Sequence, residues 1–238
     1  MIPKKIHYCW FGRGEKPKLA QKCIESWKKY CPDFEIIEWN EDNFDLHYND
    51  YTWYCYQNKK WAYLSDMVRL IVVEKHGGVY FDTDVEVVAS FDNLLKNDAF
   101  YGFEINENIN TGEGFGAVAG HPTVTAMIEQ YTNMNLDKTG NISLISCPKL
   151  NTRALLSFGL KLNGKEQKIA GTLVLPEEYM NPYDDPTGRL NKTKNTFSIH
   201  WYSKSALSRK VILRSRLTRP FHRIFGTGCF RWLKGKGK

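Results

Sequence analysis

The chain has 238 residues, of which 42% are hydrophobic and 14% aromatic, and a formal net charge of +7. That length suits one large domain with a buried core, and the aromatic content excludes a disordered chain. No run of about eighteen apolar residues occurs, which argues against a membrane-spanning helix. Met1-Ile2-Pro3-Lys4-Lys5 leads straight into IHYCWFG with no secretory apolar region, so a cytosolic protein is expected.

In chain order, Lys5 to Trp10 reads as a first strand and Lys18 to Tyr30 as an amphipathic helix carrying Leu19, Cys23, Ile24 and Trp27 on one face. Phe34 to Trp39 reads as a second strand. An aromatic stretch through Tyr48, Tyr51, Trp53, Tyr54 and Tyr56 carries no assignment. From Lys60 to Lys75 the apolar stripe Trp61, Leu64, Val68, Ile71 and Val72 predicts a helix, with Asp66 and Arg69 one turn apart on one face. Strands are expected at Val79 to Phe81, Val85 to Val88 and Phe100 to Glu104. The glycine-rich NTGEGFGAVAGHP, Asn110 to Pro122, lacks phosphate-loop spacing and reads as tight turns beside a cleft. Helices are predicted at Pro122 to Tyr131 and Lys149 to Phe158, a strand at Leu173 to Leu175, a loop at Asn181 to Gly188, and a last strand at Phe197 to Trp201. Alternating strands and helices with short links predict an α/β fold around a mainly parallel sheet. The six cysteines form no C-x-x-C pair and are expected as free thiols packed as small apolar residues.

The segment HGGVYFDTDVEV carries the chemistry. Asp82 and Asp84 flank Thr83, so in an extended backbone both carboxylates point to one side. Hard acceptor oxygens aimed at one point suit a divalent cation, whose open positions suit a diphosphate. A bare D-x-D arises by chance about once in a chain this long, because charged residues make up about a quarter of an average chain. The flanks add the weight: Gly77-Gly78 end a helix, Val79, Tyr80 and Phe81 read as a buried strand, and strand ends are where ligands bind in open α/β sheets. The bland reading is an acidic turn that solvates a strand end.

Three blocks, IPKKIHYCWFG, WAYLSDMVRLIVVEKHGGVYFDTD and SIHWYSKS, resemble the DXD-containing glycosyltransferases of family 32, the bacterial capsule and surface-polysaccharide type, related to yeast initiating mannosyltransferases. The first two blocks match closely over about the first ninety residues, and the middle region only loosely. The resemblance implies a GT-A fold, a nucleotide-sugar donor (a UDP-sugar), Mn²⁺ or Mg²⁺, retention of anomeric configuration, and a glycan acceptor, taken as lipid-linked. It makes Asp82 and Asp84 the D-x-D pair, with Asp84 the direct metal ligand and Asp82 facing ribose or donor sugar and reaching the metal through water. His200 would be a further metal ligand; by itself, a histidine beside Trp201 is more often a packed one.

Asp66 and Arg69 resemble the donor-sugar clamp, against the plain alternative of an i,i+3 ion pair worth a few tenths of a kcal/mol. Trp10 and Tyr80 resemble residues that flank base and ribose, or are core aromatics. Trp61 and Ser65 join them as donor-binding candidates, and Ser203 and Lys204 as diphosphate contacts. Asp66, Arg69, Asp82 and Asp84 are thus the catalytic candidates. Acceptor contacts are expected in Glu104 to Gly120 and Lys149 to Arg153, through Glu104, Asn106, Asn110 and Asn151. Where family members carry a tryptophan after the histidine block, this chain has Ser205-Ala206-Leu207.

Fourteen of the 33 basic residues follow Asp185, and none of the 26 acidic ones does. Between Leu207 and Phe225, Val211, Leu213, Leu217, Phe221, Ile224 and Phe225 interleave with cations at roughly helical spacing, with a kink expected at Pro220. A catalytic domain over 1–205 and a basic amphipathic tail over 206–238 are expected, the tail attaching peripherally to the anionic inner face of the plasma membrane. The plain alternative is a helix packed on the body. Two other function classes stay open: a nucleic-acid binder, suggested by the pI of about 9.0 but opposed by the acidic body, and a metal-dependent nucleotidyltransferase or phosphohydrolase.

Overall fold

The computed structural model describes residues 1–104, 108–132, 134, 137, 140–204 and 208–230. Asn106 and the Ser205-Ala206-Leu207 segment lie outside the described residues.

The opening is a β-α-β unit: strand β1 (Lys5–Cys9), helix α1 (Lys18–Tyr30) and strand β2 (Glu35–Trp39). Helix α1 buries Cys23, Ile24 and Trp27 of the predicted stripe together with Ala20, while Leu19 is half-buried. The aromatic stretch folds as helix α2 (Asp50–Gln57), started by a capping box in which Asn49 accepts from the Thr52 amide and Thr52 returns a bond to the Asn49 amide. Tyr51 and Cys55 pack inward from it, and Tyr54 and Tyr56 are partly buried against the same cluster.

Helix α3 (Trp61–His76) is buried along most of its length and ends at Gly77, which turns the chain into strand β3 (Gly78–Tyr80). Asp82, Thr83 and Asp84 follow directly, then strand β4 (Val85–Val87). Strands β5 (Ala99–Gly102) and β6 (Phe115–Ala117), helices α4 (Pro122–Thr132) and α5 (Cys147–Leu156), and strands β7 (Gln167–Ile169) and β8 (Thr172–Leu175) complete the body. Beyond it come the two-residue strands β9 (Tyr183–Asp184) and β10 (Arg189–Leu190), then β11 (Ser198–His200) and helix α6 (Arg209–Phe225).

The seven-stranded sheet has the order β2-β1-β3-β6-β5-β8-β7. Pairings of β1 with β2, β1 with β3 and β5 with β8 are parallel; those of β6 with β3 and β5, and of β7 with β8, are antiparallel. Only β6 and β7 therefore run against the rest, and the sheet is mostly parallel as expected. Helix α3 and β1 pack together on one face over the larger apolar cluster, and α1 covers a second cluster on the other.

Strand β6 is the main departure from the sequence reading, because it lies inside the segment read as tight turns. It runs down the middle of the sheet, and Phe115, Gly116 and Ala117 are all buried. Gly116 is small because a Cβ there would stand 2.5 Å from the Phe100 ring and 3.1 Å from Val79. Glycines that signal turns in a sequence here make room for side chains crossing the strand. Helix α6 continues through Pro220.

Candidate active site

The site forms where β1 and β3 end beside the N-terminal half of α3. Parallel pairing of β1 with β3 puts Trp10 beside the Asp82-Thr83-Asp84 turn, and α3 presents Trp61, Ser65, Asp66 and Arg69 to the same cavity of about 350 Å³. The indole of Trp10 donates to the Gly14 carbonyl at 2.6 Å, which folds residues 10–14 against Trp61. Both tryptophans therefore wall this cavity, and Ser65 and Ser203 line it with them.

Arg69 is the centre of the polar network. Its Nη2 lies 2.8 Å from Asp66 Oδ1 and 3.1 and 3.3 Å from the two oxygens of Asp82. Nε donates to the Ser65 carbonyl at 3.1 Å, and Nη1 reaches Thr111 Oγ1 and Cys147 Sγ at 3.5 and 3.7 Å. The guanidinium sits 5.0 Å above the Tyr80 ring, and the Tyr80 hydroxyl donates to Asp82 Oδ1 at 2.9 Å. Tyr80, 1% exposed, supports this network from beneath and offers no face for base or ribose stacking. The i,i+3 ion pair, the plain alternative for Asp66 and Arg69, is thus present, within a three-residue network whose centre, Arg69, is buried and whose carboxylates are part-buried. Burial pushes the Asp66 carboxyl up to about 6 against the pull of Arg69, and raises Asp82 as well.

His200 reaches the site through the sheet. Strand β11 pairs antiparallel with β4, which sets His200 opposite Val85, the residue after Asp84. Its Nε2 lies 3.3 Å from Asp84 Oδ1, and the Ser203 amide donates to Asp84 Oδ2 at 2.6 Å. Burial works against an ionised Asp84, yet His200 and the Ser203 amide hold its carboxyl well below the usual carboxylate range. Burial also works against a charged His200, but the Asp84 and Asp82 charges prevail and raise it above 6.5. Tyr202 stacks on His200 at 4.1 Å and accepts from Asn181 Nδ2 at 2.6 Å.

Donor atoms of Asp82, Asp84 and His200 lie within 4.8 Å of one another. His200 Nδ1 is buried with no hydrogen-bond partner among the described residues. Two carboxylates with an imidazole nitrogen left unsatisfied fit a hard or borderline divalent ion, Mn²⁺ or Mg²⁺, better than a soft one.

Other expected contacts divide. Lys204 is bound to Asp185 at 2.6 Å, which keeps its ammonium occupied. Asn110 lines a further cavity with Asp66, Asp82, His200 and Tyr202, while its side chain bonds Glu104 and the Gly112 amide. Asn151 does not face the site: it is fully buried and donates to Thr111 and Cys147. Sequence reasoning missed Thr111, Cys147 and Tyr202, and also Gly112, where a Cβ would strike Asp82 Oδ2 and stand 2.9 Å from Arg69 Nη1. It missed Glu113 too, fully buried with both oxygens unpartnered among the described residues. Burial, with Glu104 and Glu177 nearby, lifts the Glu113 carboxyl well above its ordinary range. Thr111, Gly112 and Glu113 come to the site with the chain entering β6, Cys147 opens α5, and Tyr202 follows β11 inside the SIHWYSKS block.

Residues 17–101 match the family described as the glycosyltransferase sugar-binding region containing a DXD motif. Inositol phosphoceramide mannosyltransferase 3 of Schizosaccharomyces pombe is 31% identical over 134 residues, which cover 53% of this chain and 36% of that protein. The chain therefore spans about a third of the length of this curated relative. Among solved structures, a glycosyltransferase involved in glycosylation of the major capsid of PBCV-1 aligns with a TM-score of 0.48 and 11% identity, over 89% of this chain and 98% of the other. The PaToxG glycosyltransferase aligns with a TM-score of 0.47 and 17% identity, over 66% and 68% of the two chains.

Proposed function

We propose, from the premise that residues 17–101 carry the DXD-containing sugar-binding region of glycosyltransferases, that this protein is a metal-dependent, retaining glycosyltransferase. It moves a hexose or N-acetylhexosamine from a nucleotide sugar, a UDP-sugar by resemblance, to a glycan acceptor. The observation that carries the reading is the convergence on one cavity of the Asp66-Arg69-Asp82 network and the Asp84-His200 pair with its unsatisfied nitrogen.

In this reading Asp84, Asp82 and His200 would hold a divalent ion, which when bound would supply Lewis-acid neutralisation of charge on the diphosphate leaving group. Trp10 and Trp61 flank the base, and Asp66 accepts from donor-sugar hydroxyls while Arg69 fixes its orientation. Asp66 and Asp82 both pair with Arg69, and no two carboxylates of the site stand out as a nucleophile and an acid. That favours front-face attack, in which the departing phosphate oxygen takes the acceptor's proton as the old glycosidic bond breaks and the new one forms.

A lipid-linked acceptor in bacterial capsule or surface-polysaccharide synthesis follows from the resemblance. Two things support a lipid acceptor: the matched relative's name couples mannosyl transfer to inositol phosphoceramide, and helix α6 has an outward face of exposed Leu213, Leu217, Phe221, Ile224 and Phe225 flanked by cations. No helix among the described residues is long and apolar enough to cross a membrane. The tail, residues 206–238, therefore serves as a peripheral anchor on the anionic inner face of the plasma membrane, beside the catalytic domain of residues 1–205.

A panel of nucleotide sugars incubated with Mn²⁺ and with chelator tests the reading. Metal-dependent release of the nucleoside diphosphate from one of them is expected. Pyrophosphate or orthophosphate release would instead indicate the nucleotidyltransferase or phosphohydrolase class, and a product of inverted anomeric configuration would remove the retaining assignment.

A further inference from the structure

Helix α6 has a second face that points at the site. Ile212, Arg216 and Arg219 line a cavity of about 480 Å³ that also contains Asp84 and is separate from the one holding Asp66 and Arg69. The two cavities share Trp10, Thr83, Asp84 and Ser203, so they meet at the carboxylate and amide that flank the proposed ion.

Charge is unevenly distributed around this second cavity. Asp84 is the single acidic residue lining it, against three cations. Two of those, Lys204 and Arg219, share the one carboxylate of Asp185, at 2.6 and 2.7 Å. Arg216 forms no ion pair among the described residues. An Asp185 carboxylate divided between two partners leaves this wall with surplus positive charge, and Arg216 is the group free to turn toward an anion. The C-terminal half of α6 is fixed to the body by hydrogen bonds from Arg219 to the Asp185 carbonyl and from Arg223 to the carbonyls of Thr187 and Gly188. Its inner face is therefore held in place as a wall.

We propose that Arg216 binds a phosphate of the donor's diphosphate, making α6 the outer wall of the donor site. This rests on the nucleotide-sugar reading. A planar guanidinium pairs with two phosphate oxygens at once, and a partly enclosed cavity screens that pairing less than open solvent does. The assignment gives the tail helix a role in donor binding that is independent of any membrane.

Isothermal titration with UDP and with GDP at saturating Mn²⁺ tests it. Arg216→Ala should weaken binding of the preferred nucleotide about tenfold, Arg216→Glu more, and Arg216→Lys less, as expected for loss of one charge-assisted phosphate contact. Lys192→Ala removes the same charge from an exposed position outside the cavity and should bind as the unaltered protein does. Arg216 is exposed, so the melting temperature should stay the same in each variant. Unchanged affinity in Arg216→Ala and Arg216→Glu overturns the subsite while leaving the glycosyltransferase reading intact. Failure of the unaltered protein to bind either nucleotide with Mn²⁺ overturns both.

Discussion

Arg69 shows how one residue decides the character of the site. Its side chain is 3% exposed and stands between two carboxylates. Removing one partner from a buried ion network typically costs about 3–5 kcal/mol, because the remaining charges lose compensation. Arg69→Ala should therefore lower stability by about that amount in a urea melt, besides ending turnover; a loss below about 1 kcal/mol would show that the network is solvated, as in surface pairs. Glu113 makes the opposite case. Its folded-state pKa lies above the unfolded value near 4.5, so the folded protein holds a proton that the unfolded chain releases. Its contribution to stability is thus fully present below about pH 4.5 and is lost as pH rises toward the raised folded value. Glu113→Gln should melt with the unaltered protein near pH 5 and above it at pH 8. The gap should widen by about 1.4 kcal/mol for each pH unit over which the folded carboxyl keeps a proton that the unfolded chain has lost. Parallel melting curves at both pH values would show that Glu113 ionises without penalty.

At the scale of elements, the site depends on three returns of the chain to one place. Strand β3 delivers the aspartates, β11 brings His200 back opposite Val85, and the segment before β6 packs Thr111 and Gly112 against Arg69 and Asp82. The Asp82 amide also donates to the Gly112 carbonyl at 3.1 Å, so backbone and side chain are fastened together there. A methyl group at Gly112 has nowhere to go except into the Asp82 carboxylate. Gly112→Ala should raise the KM for the donor or the Kd for the nucleoside diphosphate about tenfold or more, because misplacement by about 1 Å can cost on the order of a hundredfold. Unaltered affinity would mean that Asp82 can swing aside freely. The helices, by contrast, were legible in the sequence almost to the residue: α1 and α3 carry periodic apolar stripes and end at clear stop signals. Helix α2 was not, because its aromatic run lacks a helical stripe and its capping box alone marks the start.

For the molecule as a whole, α6 is the element with two audiences. Its inner face lines the cavity containing Asp84, while Leu217, Ile224 and Phe225 on the outer side are 65%, 73% and 68% exposed. An apolar stripe left in water on a helix rimmed by Lys210 and Arg214 suits an interface between anionic headgroups and acyl chains. Substituting Leu217→Asp together with Phe221→Asp should weaken binding to vesicles of mixed phosphatidylcholine and phosphatidylserine about tenfold or more, through lost apolar burial and added repulsion. Equal binding in a sedimentation assay would remove the membrane role. Point variants are preferable to deleting the tail, since a deletion also strips the wall carrying Arg216.

The sequence by itself determined the local elements with regular periodicity and the D-x-D turn with its preceding glycines, helix and Asp66-Arg69 pair, because each of these is encoded within a few turns of contiguous chain. Partnership across the chain was decided by tertiary structure. Which nitrogen of His200 is left unsatisfied, that Tyr80 lies beneath Arg69, that a glycine-rich stretch is a central strand, and that a basic tail lines the cavity at Asp84 all follow from sheet order and packing. Such contacts join residues far apart in the chain, and no local spacing records them.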